Sequence, residues 1–316
     1  MEFTIIPTDK YIWNFNELNE FLINHQEQDI TILTSQEGCC CQTIGLYDLL
    51  DLFTFKSVTI ITPNPIEYHS KYKIEVDLPW KFLKVSKKIE PKFHSWNKNK
   101  IFGAIYGRPL WHRIGVVAHL STYHKEVSLI GCQADPKDLD GRELFETNEL
   151  FKIDINSFQN FGNILNCLPM QLEDIDTYTP GQQMTDGYVA QAKQVYKNFL
   201  IDIVGETFTS GRSFFVTEKT VRPILLKKPM IIVGPSNYLD YLHQLGFKTF
   251  ADFWSEEYDG HDGRERYLRI LQLIDDLSKK SKIELEQIYN EMQPILDYNY
   301  NLLHNQKFNT NITYIE

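Results

Sequence analysis

The sequence predicts an α/β protein built from two successive α/β units, and two observations carry this prediction. Short β-branched segments alternate with segments of helical apolar spacing in both halves of the 316-residue chain, which is the pattern of parallel sheets covered by helices. Between the halves, residues 160–186 combine Gly, Pro and acidic residues, as interdomain linkers do. We therefore expect an N-terminal domain over residues 1–180 and a C-terminal domain over residues 181–316.

The N-terminal half begins with a strand–helix–strand pattern. Residues 30–33 and 58–62 alternate and are rich in β-branched side chains, and residues 44–53 between them carry apolar side chains at helical spacing. Such a βαβ unit predicts parallel strands, because a crossover helix joins its two strands. A further helix is expected over residues 114–120 and a further strand over residues 127–130.

The C-terminal half repeats this alternation more clearly. Its apolar runs predict strands at 199–204, 214–216 and 230–233. Helices are predicted at 217–227, 236–245, 262–280 and 282–304. Ser236 is expected to cap the second of these helices, and Gly246 is expected at its C-cap.

Composition excludes several classes of protein. The 32 Lys and Arg against 42 Asp and Glu give a net charge of −10, which disfavours a general nucleic-acid binder. The apolar runs are far shorter than the ~20 residues of a membrane span, and no basic region precedes an apolar one at the N-terminus. We therefore expect a cytoplasmic protein. The cysteines at positions 39, 40, 41, 132 and 167 fit reduced thiols better than a zinc finger or a disulfide framework.

A predicted helix N-terminus is the most informative chemical feature. Thr217 is a good N-cap at the end of a strand, and Glu218 and Lys219 fall in the first helical turn. Free N–H groups and the helix dipole attract anions there, so a lysine at this place is favourable if a bound phosphate supplies the compensating charge. Arg212 and Arg222 flank the same point and could give bidentate contacts to a diphosphate. From spacing alone, the alternative is an ordinary cap followed by a solvated lysine.

The segment 203–235 resembles the donor-binding motif of GT-B glycosyltransferases of the fucosyltransferase-like superfamily and of their phage and bacterial relatives. Glu206 follows a strand, a glycine-containing loop at 209–213 comes next, and the triplet 217–219 (Thr-Glu-Lys) opens a helix. A strand that ends at Gly234 then follows. Residues 245–259 resemble the segment that comes next in the phage relatives.

The resemblance implies two Rossmann-like domains that face a cleft, with C-terminal helices, and transfer of a sugar from a nucleotide-diphosphate donor to a hydroxyl acceptor. Lys219 and an arginine would hold the diphosphate, Glu218 would hold the ribose, and Glu206 would face the donor. Fixed positive charge can stabilise a departing diphosphate, so neither a metal nor a cofactor is expected besides the nucleotide sugar. The pairs Asp138/Asp140 and Asp174/Asp176 imitate a metal-binding D-x-D pattern and are expected to be solvated loops.

A general base is required if the reaction inverts, and it should come from the N-terminal domain. The candidates are Glu37, which follows a predicted strand where α/β sheets bind ligands, together with Asp135 and His112. Near His112, Arg108 and Arg113 resemble a Gly-Arg…Arg segment of the phage relatives. These arginines would contact the donor diphosphate or an anionic acceptor. Their alternative is a structural brace, and for His112 alone a structural role is favoured.

A lysine-rich stretch leaves another partner open. Residues 81–100 contain seven Lys and one Glu, interleaved with aromatic residues, and such a stretch can bind nucleic acid through phosphate attraction and stacking. The alternatives to an ordinary glycosyltransferase are therefore a DNA-base-modifying glycosyltransferase, a nucleic-acid binder, or a non-catalytic module that binds a nucleotide sugar.

Overall fold

Two parallel sheets of four strands each organise the part of the chain that the structure describes. This computed structural model describes residues 1–5, 15–34, 38–77, 79–84, 96–107, 110–133, 192 and 194–315. Every strand pair in the two sheets is parallel. The carboxyl ends of the strands within each sheet therefore lie along one edge, where ligands bind in open α/β sheets.

The first sheet is formed near the N-terminus. Its strands, in spatial order, are β1 (Glu2–Ile5), β2 (Asp29–Thr34), β3 (Ser57–Thr62) and β4 (Lys73–Val76). Burial alternates along β2 and β3 because successive side chains point to opposite faces of the sheet. Ile32 lies opposite Ile60 and both are fully buried. They share a hydrophobic core with the apolar faces of helices α1 (Asn16–Asn24) and α2 (Leu46–Leu50).

The second sheet contains the most deeply buried strand. Its strands are β5 (Lys100–Tyr106), β6 (Ser128–Cys132), β7 (Phe199–Gly205) and β8 (Met230–Val233), in the spatial order β6-β5-β7-β8. All seven residues of β7 are buried, as expected for a parallel strand covered on both faces. Helix α3 (Trp111–Tyr123) follows β5, α4 (Glu218–Leu225) connects β7 to β8, and α5 (Tyr238–Leu245) follows β8.

Three further helices close the chain: α6 (Gly263–Ser278), α7 (Lys282–Glu291) and α8 (Gln293–Asn305). The sequence predicted one helix over 282–304, and this prediction is wrong because the helix breaks at Met292. Pro294 explains the break, since proline lacks an N–H and its ring clashes with the carbonyl four residues earlier. Among the described residues, no helix has both the length and the apolar character needed to cross a bilayer.

Two other local predictions differ from the structure. Residues 214–216 are buried but belong to no strand, because the chain leaves the sheet after β7 to reach α4. Helix α5 is preceded by Asn237 at the N-cap, in the left-handed conformation at φ 59°, rather than by Ser236. Gly246 at the C-cap is confirmed, with φ 99°.

The α/β class predicted from the sequence is confirmed: the described residues form two parallel four-stranded sheets with helices between their strands, and three helices follow the second sheet. The sheets divide between β4 and β5, however, and not at residue 180, where we predicted the domain boundary. Composition marked residues 160–186 as a linker, but strand pairing places β5 and β6 beside β7 in the same sheet. The predicted linker itself lies outside the described residues.

Candidate functional site

The N-terminus of α4 lies where the sequence placed an anion site, just beyond the carboxyl end of β7. Thr217 is the N-cap, in extended conformation, and its Oγ1 accepts a hydrogen bond of 3.2 Å from the backbone N–H of Lys219. The Lys219 side chain folds back toward the cap, with Nζ 3.3 Å from Thr217 Oγ1 and 3.4 Å from Thr207 Oγ1. An ammonium group therefore lies beside the free N–H groups of the first helical turn.

Glu218 supplies the local countercharge to this ammonium. Its Oε1 lies 3.0 Å from Lys219 Nζ, and both side chains are mostly buried. Burial by itself would raise the pKa of the Glu218 carboxyl, but the charge and hydrogen bond of Lys219 outweigh it and the pKa is lowered below its ordinary value. The carboxylate is therefore ionised at neutral pH, and it faces the helix N-terminus, which favours negative charge.

Glu206 forms the buried base of the site. Its Oε2 accepts a hydrogen bond of 2.7 Å from Thr217 Oγ1, and its Oε1 accepts hydrogen bonds of 2.6 Å from Thr220 Oγ1 and 3.2 Å from Tyr238 O–H. The residue is 2% exposed. These three hydroxyl donors come from the cap of α4, from α4 itself and from α5, so the carboxylate joins three segments beside the second sheet. A buried carboxylate satisfied in this way fixes the position of the cap.

The first turn of α3 holds the neighbouring end of β7. His112 Nε2 donates to the Glu206 carbonyl at 2.8 Å, and Arg113 donates to the carbonyls of Gly205 and Glu206, each at 3.1 Å. Gly205 makes room for this contact, since a Cβ there would lie 2.8 Å from the Arg113 side chain. Burial lowers the pKa of His112 well below its ordinary value, and the charges of Arg113 and Lys219 lower it further. The imidazole is therefore neutral at neutral pH.

A narrow pocket opens beside the cap. It is lined by Glu206, Thr207, Phe208, Ser213, Phe215, Thr217, Pro235 and Tyr238. Most of these residues come from the ends of β7 and β8 and from the 207–217 loop between β7 and α4. The pocket thus combines hydroxyl groups and aromatic faces at the carboxyl edge of the second sheet, the edge at which ligands bind in open α/β sheets.

The 207–217 loop is fastened to the first sheet as well. Asn64, which follows β3, donates from Nδ2 to the Arg212 carbonyl at 2.8 Å and accepts from the Phe214 N–H at 3.1 Å. Ser213 Oγ donates to the carbonyl of Gly38, which follows β2. Because Gly38 and Asn64 come after the carboxyl ends of their strands, the corresponding edges of both sheets meet at the pocket wall.

Two arginines predicted near the donor have clear partners. Arg222 is 3% exposed, and its Nη2 lies 3.7 Å from Asp202 Oδ2. The guanidinium carbon of Arg222 lies over the Tyr196 ring, 5.4 Å from the ring centroid. Burial raises the pKa of Asp202, and Arg222 opposes this rise. Arg212 stacks over the Tyr314 ring at 4.1 Å. Contacts of either guanidinium with a donor stay a prediction.

The comparisons with known proteins show no family for this chain. The sequence matches no family model and no curated protein. One solved structure, described as trehalose-6-phosphate from E. coli bound with UDP-2-fluoro glucose, is 11% identical, with a TM-score of 0.35, over 92% of this chain and 75% of that chain. A second, described as OtsA in its apo form, is 11% identical, with a TM-score of 0.34, over 92% of this chain and 74% of that chain.

Several predicted site residues lie outside the described residues. These are Glu37, Asp135 and Arg108, together with the acidic pairs at 138/140 and 174/176. The lysine-rich stretch 81–100 is described only at 81–84 and 96–100. Their predicted roles stay predictions. Of the predicted set, the structure brings together Glu206, Thr217, Glu218, Lys219, His112 and Arg113.

Sequence reasoning missed three polar residues of the site. Thr207 and Thr220 lie within the motif, and their hydroxyl groups beside Glu206 and Lys219 were a usable signal. Asn64 contacts the 207–217 loop across 148 and 150 residues of sequence. No local pattern marks such a distant partner, so only the three-dimensional structure reveals it.

Proposed function

We propose that this protein is a glycosyltransferase that moves a sugar from a nucleotide-diphosphate donor to a hydroxyl acceptor. One observation carries the proposal: the capped N-terminus of α4 and the Lys219 ammonium adjoin a pocket where the carboxyl edges of two parallel sheets meet. Free N–H groups, a helix dipole and a fixed cation at one point favour a multiply charged anion such as a diphosphate.

The diphosphate is proposed to bind across the first turn of α4. Its oxygens would accept from the free N–H groups of that turn and from Lys219 Nζ, whose side chain is 19% exposed. On binding, the diphosphate would either replace Glu218 as the partner of the Lys219 ammonium or contact that ammonium together with Glu218. A ribose held near Glu218 would then offer hydroxyl donors to a carboxylate whose pKa is lowered.

The proposed reaction is substitution at the anomeric carbon. The acceptor hydroxyl oxygen forms the new bond to that carbon, the bond to the diphosphate oxygen breaks, and its electron pair leaves with the nucleoside diphosphate. The acceptor proton passes to a general base. Negative charge develops on the leaving oxygen, where Lys219 and the helix N-terminus stabilise it without a divalent metal.

Two residues of the predicted set support the site rather than touch the donor in this proposal. The Glu206 carboxylate is already engaged by three hydroxyl groups, so we assign it to positioning the Thr217 cap. His112 is 1% exposed and bonded to the Glu206 carbonyl, so we assign it to positioning the end of β7. Glu37 and Asp135 stay the candidates for the general base.

A thermal-shift panel of UDP, GDP, ADP, dTDP and CMP, with and without Mg²⁺, tests the donor site. A ligand present at about 100 times its dissociation constant stabilises the folded state by about 2.7 kcal/mol. We expect one nucleotide to raise the melting temperature, with or without Mg²⁺.

A matched pair of variants assigns the shift to the proposed site. Lys219→Ala removes the ammonium beside the cap. Lys279→Ala removes the exposed C-cap lysine of α6, which has a similar acidic neighbour, Asp276, at 2.8 Å. Loss of one charge-assisted contact should raise the dissociation constant about 10- to 100-fold in the first variant and leave the second unchanged. Equal binding by both variants would refute the proposed site.

A further inference from the structure

A cluster of two imidazoles and one carboxylate lies at the end of α3 opposite the proposed donor site. His119 belongs to the last two turns of α3, His124 is the C-cap of that helix, and Asp275 belongs to α6. His119 Nε2 is 2.8 Å and His124 Nε2 is 2.6 Å from the same oxygen, Asp275 Oδ1. Side chains separated by 156 and 151 residues of sequence therefore converge on one point.

The donor set is one that transition metals prefer. Imidazole nitrogen and carboxylate oxygen are the standard ligands of Zn²⁺, at about 2.0–2.2 Å. The three ligand atoms here lie within 4.8 Å of one another. A tetrahedral ion needs its ligand atoms about 3.3 Å apart, so the carboxylate oxygen would have to move about 0.5 Å away from His119 Nε2 and about 0.7 Å away from His124 Nε2 to admit it. The Asp275 side chain is 34% exposed and can make that movement.

The imidazole rings are held in place by their neighbours. The His119 ring packs against Tyr123 at 5.0 Å between centroids, and the His124 ring lies 6.2 Å from Phe102. Their side chains are 7% and 12% exposed, while the carboxylate faces solvent. Two fixed nitrogen ligands beside a more mobile oxygen ligand leave a route for an ion to enter and a place for water as the fourth ligand.

We propose that His119, His124 and Asp275 bind one divalent transition metal ion of the Zn²⁺ type. Each imidazole would coordinate the ion through Nε2 and carry its hydrogen on Nδ1, so that it binds as a neutral ligand. Because its ligands come from α3 and α6, the ion fastens the closing helices to the second sheet. His119 is seven residues from His112 along α3, about 10 Å at 1.5 Å per residue, so the ion is separate from the donor site. The proposal does not depend on the proposed function.

Metal content measures the proposal directly. Untagged protein is stripped with EDTA, freed of the chelator, incubated with Zn²⁺ and passed through a desalting column. We expect about one Zn²⁺ per chain and a higher melting temperature than in the stripped protein. Co²⁺ in place of Zn²⁺ should give a visible absorption band, which a cluster held by hydrogen bonds alone would not produce.

Two variants and one control complete the test. His124→Gln and Asp275→Asn each remove a partly exposed ligand, and each should weaken Zn²⁺ binding at least tenfold and abolish the Co²⁺ band. The control, His261→Gln, breaks another imidazole–carboxylate pair, in which His261 Nδ1 lies 3.1 Å from Glu265 on the first turns of α6, and it should bind as the wild type does. Metal-free melting curves of the variants report whether each is folded.

Three results would overturn the proposal: no Zn²⁺ retained by the wild type, equal retention by Asp275→Asn, or equal loss in His261→Gln. If one ligand variant is unfolded without metal, the other decides the outcome alone.

Discussion

Replacing Thr217 by valine tests the geometry of the site through stability. The substitution keeps the shape of the side chain and removes Oγ1, which caps α4 and donates to Glu206 Oε2 at 2.7 Å. Loss of an N-cap hydroxyl costs about 1 kcal/mol. Loss of a hydrogen bond to a buried charged group costs about 1.5–3 kcal/mol. We therefore expect Thr217→Val to lower the free energy of unfolding by about 3 kcal/mol.

Thr217→Ser provides the matched control, because it keeps the hydroxyl and removes one methyl group. Deletion of one buried methyl group costs about 1 kcal/mol. Urea denaturation of the three proteins at neutral pH, followed by circular dichroism, measures the difference. A double-mutant cycle with Glu206→Gln separates the cap from the contact with the carboxylate.

A loss of less than about 2 kcal/mol in Thr217→Val, the least that a cap and a buried charged hydrogen bond together would cost, would refute this reasoning. An equal loss in Thr217→Ser would refute it too, since the effect would then come from packing rather than from the hydroxyl. A coupling energy near zero with Glu206→Gln would show that the two side chains act independently.

Three further predictions concern other parts of the second sheet and its contact with the first. Burial lowers the pKa of the Lys228 ammonium to about 7 in the folded protein. Between this pH and the ordinary pKa of a lysine, Lys228 is therefore protonated in the unfolded chain and mostly neutral in the folded chain. Stability therefore rises with pH across this window, and urea denaturation at pH 7 and 9.5 should show the wild type gaining stability relative to Lys228→Met. Gly103→Ala should cost about 1–3 kcal/mol because its Cβ would lie 2.5 Å from the Phe199 ring, whereas Gly260→Ala, with nothing within 4 Å, should change thermal stability little. Asn64→Ala should cost about 2–4 kcal/mol, since it leaves two backbone groups of the 207–217 loop without their partner, and should weaken nucleotide binding in calorimetry; unchanged binding would contradict the role of this loop as a pocket wall.

The strands that the sequence predicted are those in which neighbouring residues already form a recognisable apolar pattern. Residues 230–233 are an uninterrupted apolar run, residues 199–204 are apolar except for Asp202, and the structure places β8 and β7 there. Strand β5 was not predicted, because Gly103 interrupts its apolar pattern. The glycine is required by packing, as the Phe199 ring on the neighbouring strand occupies the space of a side chain. The pairing of β5 with β7 thus depends on contacts between residues about 100 positions apart in the sequence, and a pattern within one segment does not reveal them.

The contacts of the site likewise divide into those that the sequence predicts and those that it does not. The Thr217 cap and the following lysine were predicted because capping depends on residues adjacent in sequence. The contacts of Glu206 with Tyr238, and of Asn64 with the 207–217 loop, depend on how separate elements pack. The roles of Arg222 and His112 were predicted from their positions in the sequence, close to the motif. In the folded protein, the direction in which each side chain points is set by its burial and by its partners, Asp202 and the Glu206 carbonyl.

Release of the nucleoside diphosphate from nucleotide sugars tests the central claim most directly. The protein would be incubated with UDP-, GDP-, ADP- and dTDP-sugars and a panel of hydroxyl acceptors, with EDTA in one series and Mg²⁺ in another. We predict that one donor releases its diphosphate at the same rate in both series, that Lys279→Ala matches the wild type, and that Lys219→Ala loses the activity. Binding of a nucleotide with no release above the Lys219→Ala background would contradict a transferase and support a non-catalytic module that binds a nucleotide sugar.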